Sequence, residues 1–150
     1  MDIKDIIDLN TVRTNLDVEN KEEALQALSE VLLQNEYISD VNEFLKDIYE
    51  REEVGQTGIG NYIAIPHGKS NSVKKTGVAI GVTKKEIPWE TLDGKGVKGV
   101  ILFSVGKDNE GAQNHLKILS SFARKLGNDE IIEELLQAKA AEDVKIALCD

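Results

Sequence analysis

The sequence predicts an α/β fold: a mixed β-sheet flanked by helices on both faces, in a single three-layer domain spanning residues 1–150. Three observations predict it. The run Val-Ile-Leu-Phe-Ser-Val at 100–105 is almost wholly apolar, as in a central strand covered on both faces. Stretches with helical apolar spacing come before and after the strand-like runs, which can supply that cover. Not every pair of predicted strands has a helix between its members, so some neighbours must run antiparallel.

In chain order, Leu9 to Leu16 alternates loosely and reads as a strand. Asn20 with Glu23 forms a helix-start signature, and Ala24, Leu25, Leu28, Val31 and Leu32 then share one face. Asp40 with Glu43 repeats the signature before Val41, Phe44, Leu45 and Ile48, in a helix ending near Glu53. Three glycines between Gly55 and Gly60 predict a tight turn. Ile63 to Ile65 reads as a short buried strand stopped by Pro66, because proline cannot donate to a sheet ladder. His67 follows with an exposed ring, and Gly68 supplies backbone angles that a side chain would forbid.

Residues 69–75 read as a polar loop, 77–82 as a strand and 84–98 as a long connection with a turn at Asp93-Gly94. After a loop from Gly106 to Gly111, a helix starts near Gln113. It has His115 in its first turn and Leu116, Leu119, Phe122, Ala123 and Leu126 inward, and ends at Gly127-Asn128. Asp129 starts a further helix, and Val144, Ala147 and Leu148 mark a last short one.

Composition excludes several classes. Hydrophobic residues make up 41% and charged residues 30%, an ordinary globular balance. No apolar run approaches the ~20 residues of a membrane span, and the amino terminus lacks a signal-peptide pattern. The single Cys149 fits a reducing compartment, so a cytoplasmic protein without direct membrane insertion is expected. A net charge of -9 argues against nucleic-acid binding and modestly favours a basic protein partner.

Two glycine motifs are decoys. Gly94-Lys95-Gly96-Val97-Lys98-Gly99 has the letters of a dinucleotide fingerprint but precedes a strand instead of following one. Gly68-Lys69-Ser70 imitates the end of a P-loop, but its first glycine position is Ile63. A nucleotide-binding domain rests on these alone. With two histidines and one cysteine, no metal cluster has recognisable spacing.

His67 is the candidate centre of chemistry. It sits at a strand end beside Pro66 and Gly68, after a glycine-rich turn, and crevices at strand ends are where open α/β sheets bind ligands. A neutral imidazole is a nucleophile near neutral pH, and an N-bound phosphoryl group can be passed on. The only other histidine, His115, opens a helix after the central strand. Arg51 ends the second helix, where a cation complementing the helix dipole is the plain reading.

The segment Thr57-Gly58-Ile59-Gly60-Asn61-Tyr62-Ile63-Ala64-Ile65-Pro66-His67-Gly68 resembles the active-site signature of the enzyme IIA domains of the fructose and mannitol class (type 2). These belong to the bacterial phosphoenolpyruvate-dependent sugar phosphotransferase system. The likeness covers nearly the whole chain: Arg51 precedes His67 by 16 residues, as the family's site arginine does, and Asn114-His115-Leu116 matches its second histidine. It implies that His67 takes phosphate from the histidine-containing phosphocarrier protein HPr and gives it to a cysteine of a IIB domain of a sugar permease. Arg51 and His115 then act at the site, Gly58 and Gly60 shape the loop, and no cofactor or metal is used. A chain of one IIA unit also fits the regulatory, nitrogen-related branch, where phosphorylation is a switch.

Overall fold

The apolar run at 100–105 forms the middle of the sheet in the computed structural model, which describes residues 3–149 except for the side chain of Asn109. Its strand, β6 (Val97–Val105), pairs antiparallel with β5 (Gly77–Ile87) on one side. On the other it pairs in parallel with β3 (Ile63–Ala64) and then β4 (His67–Lys69), placed end to end. β1 (Val12–Leu16) lies parallel outside β5, and β2 (Gly58–Gly60) antiparallel outside β3. The sheet is therefore mixed.

Alternation along β6 sends Ile101 and Phe103 to one face and Val100 and Leu102 to the other. Helices α1 (Ile3–Ile6), α4 (Asn109–Leu126), α5 (Asp129–Leu136) and α6 (Ala141–Cys149) cover the first face. Helices α2 (Lys21–Gln34) and α3 (Val41–Val54) cover the second, packing Leu25, Leu28, Leu32, Phe44 and Ile48 with no exposed surface. Three layers result. Both expected helix starts are present: Asn20 accepts the Glu23 N–H at 2.9 Å, and Asp40 the Glu43 N–H at 3.1 Å. Each such cap contributes about 1 kcal/mol.

Several elements differ from the sequence reading. Leu9–Thr11 is a 3-10 turn, capped by Asp8, so the first strand begins only at Val12. β5 continues to Ile87 and β6 starts at Val97, which shortens the long connection. The tight turn falls at Asn61 and Tyr62, both at positive φ (55° and 66°), between two short strands; Gly58 and Gly60 belong to β2. Lys69 is in β4 and not in a loop.

Helix α4 begins at Asn109, because Asp108 accepts the Gly111 N–H at 2.7 Å and caps it. His115 is accordingly in the second turn. The inward face of α4 is carried by Ile118, Phe122 and Leu126; Ala123 is exposed, and Leu116 is 69% exposed.

Candidate functional site

Pro66 interrupts what would otherwise be one strand along the edge of β6. It has no N–H to offer, yet its carbonyl accepts the Phe103 N–H at 3.0 Å, so pairing resumes at once with His67 opposite Phe103. Gly68 serves this arrangement by its lack of bulk, since its φ is not positive. A Cβ there would lie 2.2 Å from the Phe44 ring of α3. With Gly68 against α3, the period-two alternation turns His67 to the opposite face, toward α4.

The expectation of an exposed His67 ring is corrected by this geometry. His67 is 6% exposed, because Phe103 flanks it from β6 and α4 lies over it. Its ring centroid is 5.2 Å from that of Phe103 and 4.7 Å from that of His115, in an edge-on arrangement with His115. Phe103 also meets Phe122 at 5.5 Å, which ties this wall of the site into the core. Nδ1 of His67 and Nε2 of His115 are both buried without a hydrogen-bond partner among the described residues.

Electrostatics set the protonation state. Burial, then the neighbouring His115 and Arg51, push the His67 pKa down to about 4, while the Ile65 carbonyl opposes the shift. Burial followed by the charges of Lys69 and Arg51 also lowers that of His115. Both rings are therefore neutral near pH 7 and retain a nitrogen lone pair.

Arg51 stands in the last turn of α3, where Nη1 donates to the Gly55 carbonyl at 3.0 Å. This satisfies a helix-end carbonyl, as the plain reading expects. Its charge nevertheless lowers the proton affinity of both imidazoles, which contact each other. Lys69, two residues along β4 from His67, is exposed and its charge acts on His115. The charges felt by the histidine pair are thus cationic, although the chain as a whole is acidic.

Sequence reasoning missed the support beneath these groups. Glu52, next to Arg51, is turned inward with a side chain 7% exposed, and pairs with Lys21 at 2.7 Å. Thr57 Oγ1 donates to its other oxygen at 2.7 Å. A carboxylate and a lysine on an amphipathic helix read as surface charges, and their burial depends on how α2 and α3 meet.

The fold and site together describe an α/β domain with a neutral histidine pair beside two cations at the end of an interrupted strand. Residues 5–149 match the family model for the phosphoenolpyruvate-dependent sugar phosphotransferase system EIIA 2, and the chain belongs to that family. It is 35% identical to the mannitol-specific phosphotransferase enzyme IIA component of Bacillus subtilis (strain 168), over 89% of each chain. It spans only 20% of the length of another relative, the 2-O-alpha-mannosyl-D-glycerate-specific EIIABC component of Escherichia coli (strain K12), to which it is 30% identical over 87% of its own length.

Among solved structures, the nitrogen regulatory protein IIA-Ntr of Neisseria meningitidis superposes with a TM-score of 0.86 at 28% identity, over 97% of this chain and 98% of the other. The IIA mannitol of Escherichia coli gives 0.78 at 25% identity, over 95% and 98%. No helix among the described residues is long and apolar enough to cross a membrane.

Proposed function

We propose that residues 1–150 act as one EIIA domain that carries a phosphoryl group on His67, taking it from the phosphocarrier HPr and passing it to a IIB cysteine. The observation that carries this reading is the buried, neutral His67 ring packed against His115 with Arg51 and Lys69 near by. On phosphorylation, the lone pair of a His67 ring nitrogen forms the new N–P bond as the donor's N–P bond breaks, its electron pair returning to the donor imidazole. In the second step a cysteine thiolate forms an S–P bond, and His67 leaves as the neutral ring that it began as. Its low proton affinity keeps the nucleophile available in the first step.

The moving group carries its charge on equatorial oxygens, and catalysis of such transfers rests on positioning and electrostatics. The Arg51 guanidinium offers a planar fork suited to phosphate oxygens once it exchanges the Gly55 carbonyl for them. His115 donates a ring N–H to the same oxygens or orients His67. The mannitol-specific relative supports a permease of the fructose or mannitol class as the destination.

Incubation with phosphoenolpyruvate, enzyme I and HPr tests the reading. We expect one phosphate per chain on His67, lost in acid and stable in base, and none on a folded His67→Gln variant; full labelling of that variant would overturn it. A second reading, a phosphorylation-dependent regulatory switch, is favoured by the nitrogen regulatory neighbour. Sugar phosphorylation in a reconstituted system with a IIB–permease partner supports transport, and phosphorylation without onward transfer supports the switch.

A further inference from the structure

We infer that Glu52 is a positioning residue for the transfer at His67: its buried carboxylate, held by Lys21, fixes through Thr57 the strand that carries the nucleophile. The inference rests on the reading of His67 as phosphoacceptor. Three elements meet at this one carboxylate. Lys21, at the start of α2, places its ammonium 2.7 Å from one Glu52 oxygen and 2.7 Å from Glu90, and lies over the Trp89 ring at 5.1 Å. Thr57, from the segment leading into β2, donates its hydroxyl to the other oxygen at 2.7 Å. Glu52 itself belongs to the last turn of α3, one residue after Arg51.

From Thr57 the connection runs straight to the nucleophile. The Thr57 carbonyl accepts the Ile65 N–H at 2.9 Å, and Ile65 is followed by Pro66 and His67. This bond fixes the last N–H before the proline, at the point where the edge of β6 is interrupted. Glu52 thus joins the helix turn bearing Arg51 to the strand bearing His67 by two consecutive hydrogen bonds, one from a side chain and one along the backbone. The separation of the guanidinium from the imidazole is set there.

Packing alone is a poor account of such a group. Buried ion pairs are weak contributors to net stability, and apolar replacements of similar volume often do as well. What an apolar side chain cannot do is accept a directional hydrogen bond from Thr57 while pairing with the Lys21 ammonium of another element. Small misplacements of reacting groups cost large factors in rate, which gives such bonds a use.

The test uses Glu52→Gln, Thr57→Val and Thr57→Ser in the full chain, with thermal unfolding measured for each and all assays run well below the lowest transition. In single-turnover transfer from phosphorylated HPr at saturating concentration, Glu52→Gln and Thr57→Val should be slowed about tenfold or more, and Thr57→Ser should keep the wild-type rate. Titration of the His67 ring by NMR gives a readout that needs no donor. The wild-type midpoint of about 4 should move up toward ~6.5 in Glu52→Gln and Thr57→Val, as a loosened strand admits water, and stay in place in Thr57→Ser. Lower melting temperatures with wild-type rates and midpoints would make Glu52 a staple between helices and overturn the inference. If the wild-type protein takes no phosphate at His67, the functional reading fails, and unmoved midpoints would still refute the positioning.

Discussion

Lys21 and Glu52 lie 2.7 Å apart inside the α2–α3 side of the molecule, with Glu90 on the lysine and Thr57 on the glutamate. His67 and His115 meet edge-on on the α4 side, with Nδ1 of one and Nε2 of the other buried and without a hydrogen-bond partner among the described residues. Both clusters are ionisable groups withdrawn from water, and the protein treats them in opposite ways. In the first, each charge meets an opposite charge or a hydroxyl donor, so the ions persist. Burial alone would lower the Lys21 pKa, but Glu52 and Glu90 together raise it. In the second the charges among the described residues that act on the rings are cations, and the rings stay neutral near pH 7. A cluster whose charges are compensated holds other groups in place. An uncompensated one keeps lone pairs and N–H groups for a ligand, and strongly shifted groups of that kind gather at functional sites.

The largest expected effect comes from removing the compensation. Lys21→Met leaves Glu52 buried without its cation and should lower stability by about 3–5 kcal/mol in urea unfolding. Lys21→Met/Glu52→Leu should regain part of that loss, since no unpaired ion is then buried. A loss below about 1 kcal/mol in the single variant, the range of exposed pairs, would mean that the cluster is wetter than its burial implies.

Next in size are changes at the second cluster, where the loss should fall on rate and not on folding. Arg51→Gln and His115→Gln should each slow single-turnover transfer from phosphorylated HPr by about 10²–10³, the usual cost of one electrostatic donor. Both side chains are only partly buried, so circular dichroism and the unfolding midpoint should change little. Wild-type rates in both variants would leave Arg51 as a helix-end cation bonded to Gly55 and erase the functional half of the contrast.

The sequence carries much of this organisation, unevenly. The layers are readable because apolar spacing differs between strand and helix, and because Asn20 and Asp40 mark their helix starts with short-range bonds. The segment from Thr57 to Gly68 points to His67, and the spacing to Arg51 and the second histidine completes the candidate site. What cannot be read are properties produced by distant residues. His67 is buried because Phe103 and α4, over thirty residues away, close over it. The start of α4 is hidden in a glycine-bearing stretch, where Gly111 is needed because a Cβ would meet the Gly106 carbonyl at 2.4 Å. The partnership of Lys21, Glu52 and Thr57 depends on three elements meeting, and none of the three residues marks itself as buried.

The smallest expected effect is a pH dependence of stability, which separates the two clusters. His67 has a folded pKa of about 4 and an unfolded one near ~6.5, so between these values the unfolded chain binds a proton that the folded chain refuses. Stability must therefore fall as pH drops through that window, by about 2 kcal/mol between pH 7 and pH 5 for this group. His67→Gln removes the term, so the variant should gain about that much relative to wild type over the same range. Titrations of groups that do not act on His67 occur alike in both proteins and cancel in the comparison. Lys21 behaves in the other sense. Its raised pKa gives a contribution fully present below its ordinary value of 10.5 and lost only as pH rises beyond it, which leaves this window flat. Urea unfolding of wild type, His67→Gln and Lys21→Met/Glu52→Leu at pH 7, 6 and 5 makes the measurement. The gap between wild type and Lys21→Met/Glu52→Leu should stay constant with pH, since the double variant leaves no unpaired buried carboxylate to take up a proton, while the gap to His67→Gln shifts toward the variant as pH falls. A His67→Gln gap that does not move would show that the native ring takes up its proton as readily as the unfolded one, and that burial beside His115 and Arg51 does not hold it neutral.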